Sequence, residues 1–168
     1  MIEMKKVILG FGSNMGDREN SLRQALVMTG KEIGNVIAVS PVYETEAVGF
    51  DGGLFLNMVA IAESSLSSSG LIGRILMIES KLGRVRCEDR FSSRTIDIDI
   101  LFIDDEVIDN ESLVVPHPRL HQRRFVLEPL NEIATGFIHP LFRETIGEIL
   151  KKCPDSSIVK RYKPAISL

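Results

Sequence analysis

Two aspartates one residue apart, Asp97 and Asp99, open an apolar run made of Ile96, Ile98, Ile100, Leu101, Phe102 and Ile103. Arg84, Arg86, Arg90 and Arg94 come just before them. In a strand successive side chains alternate between faces, so both carboxylates point one way and the isoleucines the other. Two like charges held side by side call for a cation between them. Hard divalent ions such as Mg²⁺ take carboxylate oxygens and keep positions for water and substrate phosphates. The planar fork of arginine matches phosphate oxygens in pairs. Together these residues point to metal-assisted phosphoryl chemistry, in which two ions clamp the attacking and leaving oxygens. The plain alternatives are a solvent-facing polar side of a strand and a solvated charged loop.

Further residues extend the pattern. His117 stands between Pro116 and Pro118 and is followed by Arg119, Arg123 and Arg124, a second segment able to touch phosphate. Asn57 interrupts an apolar strand, where its amide must find partners if buried and is suited to reading a flat heterocycle. The mixed charge of 84–94, with the single aromatic Phe91, reads as a mobile lid. Gly10-Phe11-Gly12-Ser13-Asn14-Met15-Gly16 is neither GxGxxG nor a Walker A loop. It reads as a tight strand-to-helix turn, with the alternative of a loop whose backbone N–H groups bind ligand.

The elements that must position these residues follow from periodicity. Val7–Phe11 is a first strand. Asp17 caps a helix carrying Leu22, Ala25, Leu26 and Ile33 to Gly34. Val36–Val39 with Val42–Tyr43 forms a second strand, bulged or at an edge because of Pro41. Residues 44–53 form a long loop and Leu54–Ala62 a third strand. A second helix buries Leu71, Ile72, Ile75, Leu76, Ile78 and Leu82 and closes at Gly83. Thr95–Ile103 is the fourth strand. This β-α-β-β-α-β order predicts an α+β, ferredoxin-like fold: an antiparallel sheet with helices on one face. A short strand at Val107–Ile108 extending the sheet, a helix near Arg123–Ile133 and a last helix from Thr145 to Lys152 complete it.

The 168 residues suit one domain over 1–168, with 44% hydrophobic and 26% charged residues typical of a soluble globular protein. A net charge of −3 with locally clustered arginines favours a small polyanion over nucleic acid. Cys87 and Cys153 lie far apart without metal-ligand spacing and read as free thiols in a reducing cytoplasm. No apolar run approaches a bilayer span, so neither membrane nor nucleic acid is an expected partner.

The ordered set Gly12-Ser13-Asn14, Tyr43-Glu44-Thr45, Phe55-Leu56-Asn57, Gly83-Arg84-Val85-Arg86, Arg90, Arg94-Thr95-Ile96-Asp97-Ile98-Asp99-Ile100, Val115-Pro116-His117, Arg123 and Phe125 resembles the hydroxymethyldihydropterin pyrophosphokinase family over nearly the whole chain. The resemblance implies transfer of pyrophosphate from ATP to 6-hydroxymethyl-7,8-dihydropterin, releasing AMP. It implies that Asp97 and Asp99 hold two Mg²⁺ ions, and that they act with Arg84 and Arg94 as the catalytic set. Glu79, Arg84, Arg86, Arg94, His117 and Arg123 would bind ATP, Glu79 near the adenine. Phe55 and Phe125 would sandwich the pterin, while Asn57 and the backbone at Thr45 and Val48 read its polar edge. A monomer is expected. Phe55 stands where the family often has tyrosine, Cys87 where a basic residue is common, and Phe91 where tryptophan can occur. The competing classes are a non-catalytic ferredoxin-like nucleotide-binding module and a nucleotidyltransferase.

Overall fold

Alternating burial along β1 (Lys5–Ser13) sets Val7, Leu9 and Phe11 on one face and Ile8, Gly10 and Gly12 on the other. The computed structural model describes residues 2–86, 88 and 92–168. β1 lies between β4 (Phe55–Ser64) and β5 (Asp97–Ile103), antiparallel to both. β3 (Val42–Thr45) pairs with β4, and β8 (Lys160–Lys163) pairs with β3, giving the order β5-β1-β4-β3-β8. β2 (Asn35–Val39) pairs with β4 further along. The expected second strand is therefore kinked at Ser40-Pro41. Pro41 has no N–H to give; Ser40 keeps the ladder by donating its N–H to the Val59 carbonyl and accepting the Val59 N–H on its hydroxyl, both at 2.8 Å.

One face carries α1 (Arg18–Glu32) and α2 (Ser68–Lys81) over Val7, Leu9, Phe11, Ile96 and Ile98. This is the ferredoxin-like arrangement predicted from element order. Asp17 caps α1 by accepting the Asn20 N–H at 3.0 Å. In α2, Leu71, Ile75 and Ile78 are buried as expected, but Leu76 is exposed, lying outside the stripe that 3.6-residue spacing turns inward.

The opposite face is covered at one end only. There α3 (Arg124–Ala134) and α4 (Ile146–Lys152) bury Leu127, Leu130, Ile146 and Ile149 against Ile8, Val59, Leu101 and Phe102. The end bearing Gly10, Gly12, Asp97 and Asp99 lies beyond that cluster. The segment at 107–108 does not extend the main sheet. β6 (Ile108–Asp109) pairs with β7 (Val114–Val115) in a separate hairpin, because Asn110 accepts the N–H groups of Ser112 and Leu113 and folds the chain back at once. β8 was not expected from sequence: its lysines and arginine show no apolar alternation, and backbone pairing to β3 places it. Cys153 is a free thiol; Cys87, Arg90 and Phe91 lie outside the described residues. Among the described residues no helix is long and apolar enough to cross a membrane.

Candidate active site

Strand register builds the site. Gly12 pairs with Asn57 on one side and Asp97 on the other, and Gly10 pairs with Val59 and Asp99. Paired residues of antiparallel strands project to the same face, so Asn57, Asp97 and Asp99 share the face that α3 and α4 leave uncovered. Glycine between them makes a floor. A Cβ at Gly12 would stand 3.3 Å from Asn57 Oδ1 and 3.6 Å from the Phe55 ring. The predicted two-carboxylate strand face is therefore present, with Phe55 and Asn57 across a side-chain-free strand from it.

The acid side is held by an ion network. The Arg84 guanidinium donates to both Glu79 Oε1 and Asp97 Oδ1, and Arg94 Nη1 donates to Asp97 Oδ2 at 3.1 Å. Glu79, 2% exposed, also accepts the Ile98 N–H at 2.9 Å and the Arg86 guanidinium at 2.6 Å. Arg84 reaches Glu79 because α2 ends in a Schellman turn: Gly83 adopts φ +82°, its N–H bonds the Ser80 carbonyl and the Arg84 N–H bonds the Glu79 carbonyl. The chain is thus folded back over its own last turn.

Asp99 is half-buried, and burial followed by the charge of Asp97 pushes its carboxyl up to about 7 against the pull of Arg123. Such a pair suits a hard divalent cation. Among the described residues no three His, Cys, Asp or Glu side chains cluster as a ligand set, so the two carboxylates could supply only part of such a cation's shell. His117 is held neutral down to about 4 by burial, then by Arg123 and Arg119. Its Nδ1 accepts the Arg119 N–H at 3.2 Å, which leaves Nε2 as the protonated nitrogen. Arg123 lies over the Phe125 ring, 5.7 Å from its centroid, and makes no ion pair among the described residues.

On the other side Asn57 Nδ2 donates to Thr45 Oγ1 at 2.9 Å, both residues being buried. Phe50 meets Phe55 edge-on at 6.3 Å, and Val48 is exposed. The structure brings together Glu79, Arg84, Arg86, Arg94 and Asp97 in one network, Thr45 with Asn57, and Arg123 with Phe125. Sequence reasoning named Gly10, Gly12 and Asn14 in the strand-to-helix turn but gave neither the glycine floor nor the side-chain contacts of Asn14. The period-2 placement of Gly10 and Gly12 opposite the acids could have signalled the first.

A family model described as 7,8-dihydro-6-hydroxymethylpterin-pyrophosphokinase matches residues 8–135. The 2-amino-4-hydroxy-6-hydroxymethyldihydropteridine pyrophosphokinase of Bacillus subtilis (strain 168) is 46% identical over 127 residues, 74% of this chain and 75% of that protein. The protein of that name from Aquifex aeolicus (strain VF5) is 42% identical over 148 residues, 86% and 90% of the two chains. In three dimensions a Plasmodium falciparum HPPK-DHPS crystallised with pteroate superposes with a TM-score of 0.73 at 18% identity, over 89% of this chain. This chain spans 43% of that longer one, and the likeness shows the fold alone. On the family match and these two bacterial relatives, the chain belongs to the 7,8-dihydro-6-hydroxymethylpterin-pyrophosphokinase family.

Proposed function

We propose that residues 1–168 form one pyrophosphokinase domain that transfers the β,γ-pyrophosphoryl group of ATP to the hydroxymethyl group of 6-hydroxymethyl-7,8-dihydropterin, releasing AMP, in folate biosynthesis. The observation that carries this reading is the placement of Asp97 and Asp99 on the open sheet face, across Gly10 and Gly12 from Phe55 and Asn57. A flat ring fits against one side and a polyphosphate against the other. The pterin hydroxyl oxygen bonds to the β-phosphorus as the bond from that phosphorus to the bridging oxygen of the α-phosphate breaks. AMP carries that oxygen away, and the hydroxyl proton passes to solvent.

Such a transfer asks the protein mainly for positioning and charge neutralisation. Asp97 and Asp99 are the residues to hold two Mg²⁺ ions, which when bound neutralise phosphate charge and polarise the reacting oxygens. Arg84 and Arg94, resting on Asp97, are placed to turn to phosphate oxygens. Arg123, which makes no ion pair among the described residues, and the His117 Nε2–H would join them. The exposed guanidinium of Arg86 rests on Glu79, which orients both Arg84 and Arg86 at the end where adenine is expected. Phe55 and Phe125 supply ring stacking; Asn57 and the backbone at Thr45 and Val48 supply hydrogen bonds to the pterin edge.

The test is product analysis of ATP, Mg²⁺ and hydroxymethyldihydropterin mixed with the protein. AMP is expected; ADP or phosphate alone, or ATP binding without turnover, would refute the reaction. Asp97→Asn or Asp99→Asn should lower turnover by roughly 10³-fold while far-ultraviolet circular dichroism is unchanged. Chelation with EDTA should abolish turnover of the native protein.

A further inference from the structure

Asn14 is 7% exposed, and both ends of its carboxamide are engaged. Its Oδ1 accepts the Arg94 backbone N–H at 2.8 Å, and its Nδ2 donates to the Gly53 carbonyl and to Ser93 Oγ, each at 3.2 Å. Its own N–H donates to the Arg94 carbonyl at 3.2 Å. One side chain at the end of β1 thus ties together two connections. One leads into Phe55 and Asn57; the other leads through Arg94 into Asp97. Glycine lets the first approach closely: a Cβ at Gly53 would stand 3.0 Å from the Asn14 carbonyl oxygen, and one at Gly52 3.3 Å from Asn14 Nδ2.

We propose that Asn14 is a positioning residue that fixes the ring-binding wall and Arg94 at one set separation, so that the two substrates meet in line. Its kinetic consequence rests on the pyrophosphoryl-transfer reading; the mechanical coupling does not. A carboxamide carries one donor end and one acceptor end at this length. Aspartate is nearly isosteric and keeps the acceptor for the Arg94 N–H. Its second oxygen, however, faces the Gly53 carbonyl as acceptor to acceptor. Aspartate therefore releases one arm and spares the other, whereas alanine releases both. A displacement of about 1 Å between reacting groups can cost on the order of 10² in rate.

Hydrogen exchange of the ligand-free protein reads the coupling, and kcat with KM for each substrate reads its use, below the melting point of the weakest variant. Asn14→Ala should speed exchange in both 50–55 and 92–96, leave 97–103 unchanged, and lower kcat roughly 10²-fold. Asn14→Asp should raise KM for the pterin about tenfold and leave that for ATP within about threefold. Gly53→Ala, with Asn14 intact, should do the same by wedging the first connection outward. Altered exchange in one segment only, or in neither, overturns the coupling. Equal rises in both KM values for Asn14→Asp, or rates that return to native values once scaled to the folded fraction, overturn the positioning role. If the native protein makes no AMP, the reaction reading fails by itself and the exchange result still decides the coupling.

Discussion

Glu79 shows how much a residue's surroundings add to what its type and position in the sequence say. On an amphipathic helix a glutamate is ordinary, and its family position points to adenine. Here it is almost fully buried, accepts a strand N–H, and gathers Arg84 and Arg86. A buried carboxylate needs such partners to offset its lost hydration. Its carboxylate gathers two arginines here, an arrangement that no periodicity reveals. His117 gives a residue-scale prediction. Its folded value of about 4 lies below the ordinary 6.5 because it is buried near Arg123 and Arg119. As pH falls from 6.5 towards 4, the unfolded chain takes a proton that the native state refuses. The stability that His117 contributes is therefore full above pH 6.5 and lost through that window, by an amount of the order of 2–3 kcal/mol, while the raised carboxyl of Asp99 acts in the opposite direction. His139, also lowered by burial, acts in the same direction as His117. The urea midpoint at pH 7.5 minus that at pH 4.5 should be smaller in His117→Gln than in the native protein; an equal value would remove His117 from the account.

At the scale of elements, alternation did most of the prediction and close backbone approach did the rest. The β5 pattern placed Asp97 and Asp99 together because a strand has period 2 whatever its neighbours. The hairpin at 108–115 and strand β8 could not be read the same way. One is decided by an Asn110 turn, the other by an edge available only after β3 has docked. Glycines make the contrast testable. Gly34 lies where α1 turns into β2, and a Cβ there would meet the Glu63 carbonyl oxygen at 2.0 Å. Gly73 sits in the exposed part of α2 with nothing within 4 Å of that point. Gly34→Ala should cost about 2 kcal/mol or more, since neither strand can yield locally. Gly73→Ala should gain about 0.5–1 kcal/mol from helix propensity. Thermal denaturation of the two variants should move the melting point in opposite directions.

For the whole molecule, the tail is as much part of the fold as the central strands. β8 covers the outer edge of β3, Tyr162 and Lys163 donate to Glu19 on α1, and Ile166 is buried in the core over the helices. Removing 160–168 should lower stability by about 3 kcal/mol or more, from one buried isoleucine and the lost pairing, and should expose an edge that invites association. Urea denaturation with light scattering checks both; an unchanged midpoint would show that the strand rests on the sheet without supporting it.

The amino-acid sequence by itself determined which side chains share a strand face, where helices begin and end, and which ordered motif the chain carries. These are local properties, set by backbone period and capping chemistry. Only the tertiary structure decided that Gly12 stands between Asn57 and Asp97, that Glu79 and Arg84 meet over a Schellman turn, and that α3 and α4 cover one end of a face and leave the other open. Each of those depends on strand register and packing between segments far apart in the chain, which no window of neighbouring residues encodes.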